Sequence, residues 1–159
     1  MAWDPEVGTR VPEFELPEAF GGTVCLSEVL SRRSVVLVFY PSDWGVMCAV
    51  ELKMLQGLGP KFEEATAQVV GISTNSVFCH SAWKLHMNFT FPLLSDFDGR
   101  VSATYGVLVG EEGYMMGRSM RSVFIVDRER VLRYRWVTYD NASEPDYDRL
   151  LEVCSHLER

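Results

Sequence analysis

Six consecutive residues, Val35-Val36-Leu37-Val38-Phe39-Tyr40, constrain the chain more than any other segment. All six are aliphatic or aromatic, so a strand built from them has no face suited to water. The run reads as a central strand of a sheet covered on both sides, and Pro41 ends it.

The remaining periodicities are fitted around that strand. Phe14 and Leu16 alternate before a Gly21-Gly22 turn, and Val24 with Leu26 supplies a second arm, which predicts an N-terminal hairpin. Ser27 is expected to cap a short helical turn through Leu30. A helix is predicted from about Met47 to Leu58, with Val50, Met54 and Leu58 at helical spacing and Gly57, Gly59 and Pro60 marking its end. Gln68–Ser73 is the next strand, 78–87 a helix, 91–94 a short strand, and 96–99 a turn. Residues 100–105 read as a short helix closed by Gly106. Ser122–Val126 and 131–138 read as antiparallel strands around a turn at 127–130. A last helix is predicted over 144–157, with Ser143 and Asp146 at capping-box spacing and Asn141 serving a turn. Strands alternating with helices, followed by a hairpin and a helix, give an α/β fold: a mixed central sheet with helices on both faces. The 159 residues show no linker or repeat and are read as one domain.

Composition narrows the function classes. A net charge of -7, with scattered Lys and Arg, argues against nucleic acid as a partner. The longest apolar run is far too short to span a membrane. The amino end, MAWDPEVGTR, has no basic segment leading an apolar run, so a cytoplasmic location with reduced thiols is expected. The four cysteines, Cys25, Cys48, Cys79 and Cys154, form no C-x-x-C pair and match no zinc spacing. No phosphate loop or ligand cluster is present, so neither cofactor nor metal is expected.

Cys48 stands apart. It follows the buried strand and a proline-bearing loop and falls in the first turn of a predicted helix, where unpaired amides and the helix dipole favour a thiolate. Glu51 lies on the same side of that helix and would oppose the thiolate unless a cation sits between them. The other reading is a buried, inert cysteine.

The segment Phe39–Glu51, FYPSDWGVMCAVE, resembles the active-site segment of the peroxiredoxins, with Pro41 and Cys48 at the spacing P-x-x-x-[TS]-x-x-C and Glu51 at the following glutamate. GISTNSVFCHSAW (71–83), FPLLSDFDGRVSATYGV (91–107) and RSVFIVD (121–127) are similar to further stretches of that family, in the same order. The resemblance runs from about Pro12 to Leu157 and is strongest to the short, one-cysteine or AhpE-like group. It implies a thioredoxin-like fold and a thiol-dependent peroxidase that reduces hydrogen peroxide or organic hydroperoxides through a cysteine sulfenic acid. It implies Cys48 as the attacking thiolate, and Arg121, rather than Arg118, as the residue that supports the thiolate and the developing oxygen charge. Pro41 shapes the loop over the sulfur, and Glu51 orients the arginine through a bidentate pair. It also implies an external thiol or thioredoxin-like protein as reductant and a homodimer or larger assembly.

The chain departs from the family pattern at Gly45, which stands where a threonine or serine hydroxyl would bond the thiol and the peroxide. That departure keeps a second reading open, a peroxide sensor or thiol-redox partner with weak turnover. Cys79 is read as a helix cysteine or as a resolving cysteine, and Cys154 as core. Trp44, Val46 and Met47 put large apolar groups in the active-site loop, which suits a subunit contact or an organic-peroxide pocket.

Overall fold

The computed structural model describes residues 4–157. Its main sheet has five strands in the order β5-β4-β3-β6-β7. The members are β3 (Ser34–Phe39), β4 (Ala67–Ser73), β5 (Leu93–Ser95), β6 (Ser122–Val126) and β7 (Leu132–Val137). β3 pairs in parallel with β4 and antiparallel with β6, so the sheet is mixed, as its sequence order requires. A separate two-stranded hairpin, β1 (Glu15–Pro17) and β2 (Thr23–Cys25), precedes it.

Every residue of β3 is buried, and its alternating side chains seed two cores. Val36, Val38 and Tyr40 pack with Leu52 and Leu55 of α2 (Val46–Gly57), Trp83 of α4 (Val77–Met87) and Leu150 of α6 (Tyr147–Leu157). Val35, Leu37 and Phe39 pack on the other side with Phe14, with Leu26 and Leu30 of α1 (Leu26–Leu30), and with Tyr105, which follows α5 (Arg100–Thr104). The period-2 geometry of a strand splits one apolar run into two opposed cores. The expected fold, a thioredoxin-like sheet covered on both faces, is the fold observed.

Three local expectations are corrected. Gly57-Leu58-Gly59-Pro60 ends α2 as expected, but the chain does not leave helix there. A second helix, α3 (Gly59–Glu64), starts there because proline suits the first turn, where its missing N–H costs nothing. This helix buries Phe62 in the first core. The last helix begins at Tyr147 rather than Glu144, and the Asp146 carboxylate accepts from the Arg149 N–H at 3.1 Å. Ser27 does not cap α1: the helix begins at Leu26, and the Glu13 carboxylate accepts from the Ser27 N–H at 3.1 Å.

Gly71 in β4 shows what fixes a glycine inside a strand. A Cβ there would lie 2.7 Å from Leu93 Cδ2, so the close approach of β5 demands glycine.

On α2, Leu52 is fully buried whereas Val50 is 41% exposed. Leu52→Ala is expected to cost about 2–5 kcal/mol of stability and Val50→Ala less than about 1 kcal/mol. Urea unfolding midpoints of the two variants check this, and equal losses would contradict the assignment of α2's inward face.

Candidate active site

Three elements converge on one sulfur. The C-terminal end of β3 delivers Pro41 and the loop 41–45, α2 starts at Val46 and carries Cys48 in its first turn, and Arg121 immediately precedes β6. β3 and β6 are neighbours in register, with Phe39 opposite Ser122, so the two ends lie side by side. Cys48 is 3% exposed and Pro41 is buried. The first turn of α2 has no side-chain cap, which leaves its amides to act on what lies in front of them.

Arg121 lies buried between Glu51 and Cys48. Its Nη1 donates to Glu51 Oε1 at 2.9 Å, and its Nη2 donates to Cys48 Sγ at 3.4 Å. The structure thus brings together Cys48, Glu51 and Arg121, and it places Arg118 elsewhere, where its charge acts on Cys79. The pair between Arg121 and Glu51 is single, not the bidentate fork expected: Glu51 Oε2 and Arg121 Nε are buried with no hydrogen-bond partner. One Nη nitrogen faces the carboxylate and the other faces the sulfur, so no second donor reaches Glu51.

The electrostatics follow from that geometry. Burial pushes the Glu51 carboxyl up to about 7, opposed by Arg121 and reinforced by Glu144. Burial also works against the Arg121 charge, but Cys48 and Glu51 together outweigh it and hold the guanidinium above its ordinary value. The other thiols are less suited to attack. Burial pushes Cys154 up to about 12. Cys79 is also raised, by burial and then by the Asp43 carboxylate, against Trp44 and Arg118. Cys25 is raised too, by desolvation and by Glu15 and Glu28.

The loop itself is tied down from behind by residues the sequence reading left unplaced. Asp43 is buried; its Oδ1 accepts from the Tyr40 hydroxyl at 2.7 Å, and its Oδ2 meets His80 Nδ1 at 2.6 Å. His80 Nε2 lies 2.9 Å from the Leu94 carbonyl, which only accepts, so Nε2 carries a proton. Asn75 Oδ1 accepts from the Asp43 N–H at 3.0 Å. The loop is therefore clamped to α4 and to the end of β4. Only the dipeptides Ser-Asp before Cys48 and Cys-His in α4 hinted at this in the sequence, and their separation hid the pairing.

Gly45 has φ -66° and ψ 136°, which any residue adopts. A Cβ there would stand 3.2 Å from Cys48 Sγ and 3.2 Å from the Ser42 carbonyl. No hydroxyl among the described residues takes its place at the sulfur. The mouth of the site is a cavity of about 720 Å³ lined by Met47, Leu108, Met115, Met120, Arg121 and Asn141, among others. Of the loop's apolar groups only Met47 lines it. Val46 is exposed, and Trp44, also exposed, lies against the His86 ring.

Asn141 is the site residue that sequence reasoning missed. Both its backbone oxygen and Oδ1 accept from Arg121 Nη2, at 3.3 and 3.2 Å. The turn expected there exists, and it carries the asparagine to the arginine.

The chain was compared with known proteins. The family model described as AhpC/TSA matches residues 7–135. The chain is 31% identical over 140 residues to a chloroplastic 2-Cys peroxiredoxin BAS1 of Spinacia oleracea, covering 82% of this chain and 51% of that protein. It therefore spans about half the length of that curated relative. It is 35% identical over 130 residues to alkyl hydroperoxide reductase E of Mycobacterium tuberculosis, covering 80% of this chain and 82% of the other. The crystal structure of peroxidoxin BcpB from Mycobacterium tuberculosis superposes with a TM-score of 0.86 at 32% identity, over 96% of this chain and 97% of that one.

Because Glu51 sits near 7 in the folded state and 4.5 is its ordinary value, folding favours its proton. Its contribution to stability is full below pH 4.5 and is lost as pH rises through 7. Wild-type stability is expected to decline across that window, and Glu51→Gln to remove the decline. Urea midpoints against pH test this; wild-type stability that rises there relative to the variant would contradict the dominance of burial.

Proposed function

The chain belongs to the AhpC/TSA family, and on that footing we propose that it is a thiol-dependent peroxidase that works through Cys48. The observation that carries the proposal is the buried Arg121 shared between the Cys48 sulfur and Glu51. A cation fixed at 3.4 Å from the sulfur is placed to meet negative charge at the reacting centre.

The chemistry is a two-electron oxidation of sulfur. The thiolate attacks the oxygen of ROOH that bears the hydrogen; the S–O bond forms and the O–O bond breaks. Cys48 becomes a sulfenic acid, and the departing RO⁻ takes a proton from solvent to leave as an alcohol, or as water when the substrate is hydrogen peroxide. Arg121 Nη2 is already beside the sulfur, where it also meets the charge that builds on oxygen. Pro41, buried at the start of the loop that leads to Cys48, shapes that loop. Glu51 holds the guanidinium in place from the far side through Nη1.

An external thiol or thioredoxin-like protein returns the sulfenic acid to the thiol. Cys79 sits in the first turn of α4, with its N–H bound to Ser76 Oγ at 3.2 Å, and Cys154 is buried on α6. Both cysteines lie in ordered helices on separate elements, which disfavours an internal disulfide. The relatives' names, peroxiredoxin and alkyl hydroperoxide reductase, favour turnover over a sensor role. Exposed Trp44 and Val46 beside the catalytic loop support an assembly of two or more copies.

Cys48→Ser is expected to abolish consumption of hydrogen peroxide in a dithiol-coupled assay, whereas Cys154→Ser retains it. In a Glu51→Gln background, which avoids stranding a buried carboxylate, Arg121→Ala is expected to slow Cys48 oxidation by about 100-fold or more. Arg118→Ala should leave it close to wild type. Full activity in Cys48→Ser, or equal effects at the two arginines, would overturn the proposal.

A further inference from the structure

Gly45 leaves the sulfur with a cation beside it and, among the described residues, no hydroxyl, so a neutral donor to the oxygen that departs from the peroxide would come from elsewhere. The geometry points to Asn141: we propose that its side-chain amide is a catalytic residue that donates to the leaving oxygen of the hydroperoxide. This rests on the peroxidase reading of Cys48.

The orientation of the amide is forced. A guanidinium only donates, so the atom that faces Arg121 Nη2 at 3.2 Å is the amide oxygen, Oδ1. Nδ2 is then turned away from Arg121. It makes no hydrogen bond to a described residue, and Asn141 lines the cavity at the mouth of the site together with Met47 and Arg121. An N–H₂ donor with no partner among the described residues thus stands at the wall of the cavity that Met47 and Arg121 also line.

The placement is built rather than incidental. The Asp140 carboxylate accepts from the Ala142 N–H at 2.9 Å and from the Ser143 hydroxyl at 3.0 Å, closing the turn around Asn141. Thr138 and Asp140 close it on the other side, with Thr138 Oγ1 accepting from the Asp140 N–H at 3.0 Å. The Thr138 N–H donates to the Arg121 carbonyl at 3.0 Å, which ties the turn to the same residue whose side chain Asn141 contacts.

Cys48 Sγ and Asn141 Oδ1 both lie within hydrogen-bond reach of Arg121 Nη2. A peroxide that meets the sulfur and extends its far oxygen into the cavity shared by Met47, Arg121 and Asn141 brings that oxygen within reach of the Asn141 amide. As the O–O bond breaks, negative charge collects on that far oxygen. A donor fixed there stabilises the transition state more than the ground state, which is what accelerates the step. The proton that finally neutralises RO⁻ comes from solvent; the amide donates a hydrogen bond and keeps its proton.

The test is single-turnover oxidation of Cys48 by hydrogen peroxide, beside alkylation of the same residue by iodoacetamide, which needs no donor at a leaving oxygen. Asn141→Ala and the near-isosteric Asn141→Leu are compared with wild type. Asn141 is exposed in a turn, and circular dichroism checks that both variants fold. Both are expected to lose about 10- to 100-fold in the peroxide rate, with alkylation unchanged. An unchanged peroxide rate overturns the inference. So does a parallel fall in alkylation, because it would mean that Asn141 acts only through Arg121. If wild-type Cys48 is not oxidised at all, the peroxidase reading fails instead.

Discussion

The site depends on one buried cation. Arg121 enters from the start of β6, where a charged side chain on a fully buried strand end is costly unless anions meet it. Glu51 and Cys48 meet it, one on each terminal nitrogen. Each partner depends on it in turn: among the described residues, Arg121 makes the one hydrogen bond to the Glu51 carboxylate and the one side-chain hydrogen bond to the Cys48 sulfur. Three elements far apart in sequence are therefore held to one geometry by a single side chain. That geometry is tuned by imperfection. Burial pushes the Glu51 carboxyl up to about 7, and Oε2 has no partner among the described residues to offset that cost.

The scaffold supplies what the cation cannot. β3 is buried on both faces and places the loop 41–45 at a rigid strand end, and β6 runs beside it in antiparallel register. Behind the loop, Asp43 is held by Tyr40, His80 and Asn75, a polar cluster closed against α4 and β4. His80 reaches from Leu94 to Asp43 and so couples the end of β5 to the catalytic loop. Satisfied polar groups of this kind stiffen a loop that would otherwise sample many conformations, because each carries a penalty if broken in the dry interior. Beside the sulfur, Met47, Arg121 and Asn141 line an open cavity.

Much of this was legible in the sequence, for reasons that can be named. A six-residue apolar run admits few roles, and β3 takes the one expected. The order of motifs singled out Cys48, Glu51 and Arg121, and the fold brings these three side chains together. The errors share a different cause. Gly59-Pro60 does follow the end of α2, but proline also suits the first turn of a helix, and nothing else local announces α3. The cap at α1 comes from Glu13, fourteen residues from Ser27, and no local pattern announces it. The single rather than bidentate pair at Glu51 depends on which way one guanidinium is shared. Asn141 and the Asp43–His80 contact are tertiary facts: a turn residue and a helix residue acquire their roles only when the chain closes around them.

The central claim is that a buried arginine makes Cys48, and no other thiol, the reacting atom. The most direct measurement is treatment of the protein with one equivalent of hydrogen peroxide in the presence of dimedone, which traps sulfenic acid, followed by peptide mass spectrometry. The account predicts the dimedone adduct on Cys48, with Cys25, Cys79 and Cys154 unmodified. An adduct first on Cys79, or none on Cys48 while peroxide is consumed, would contradict it.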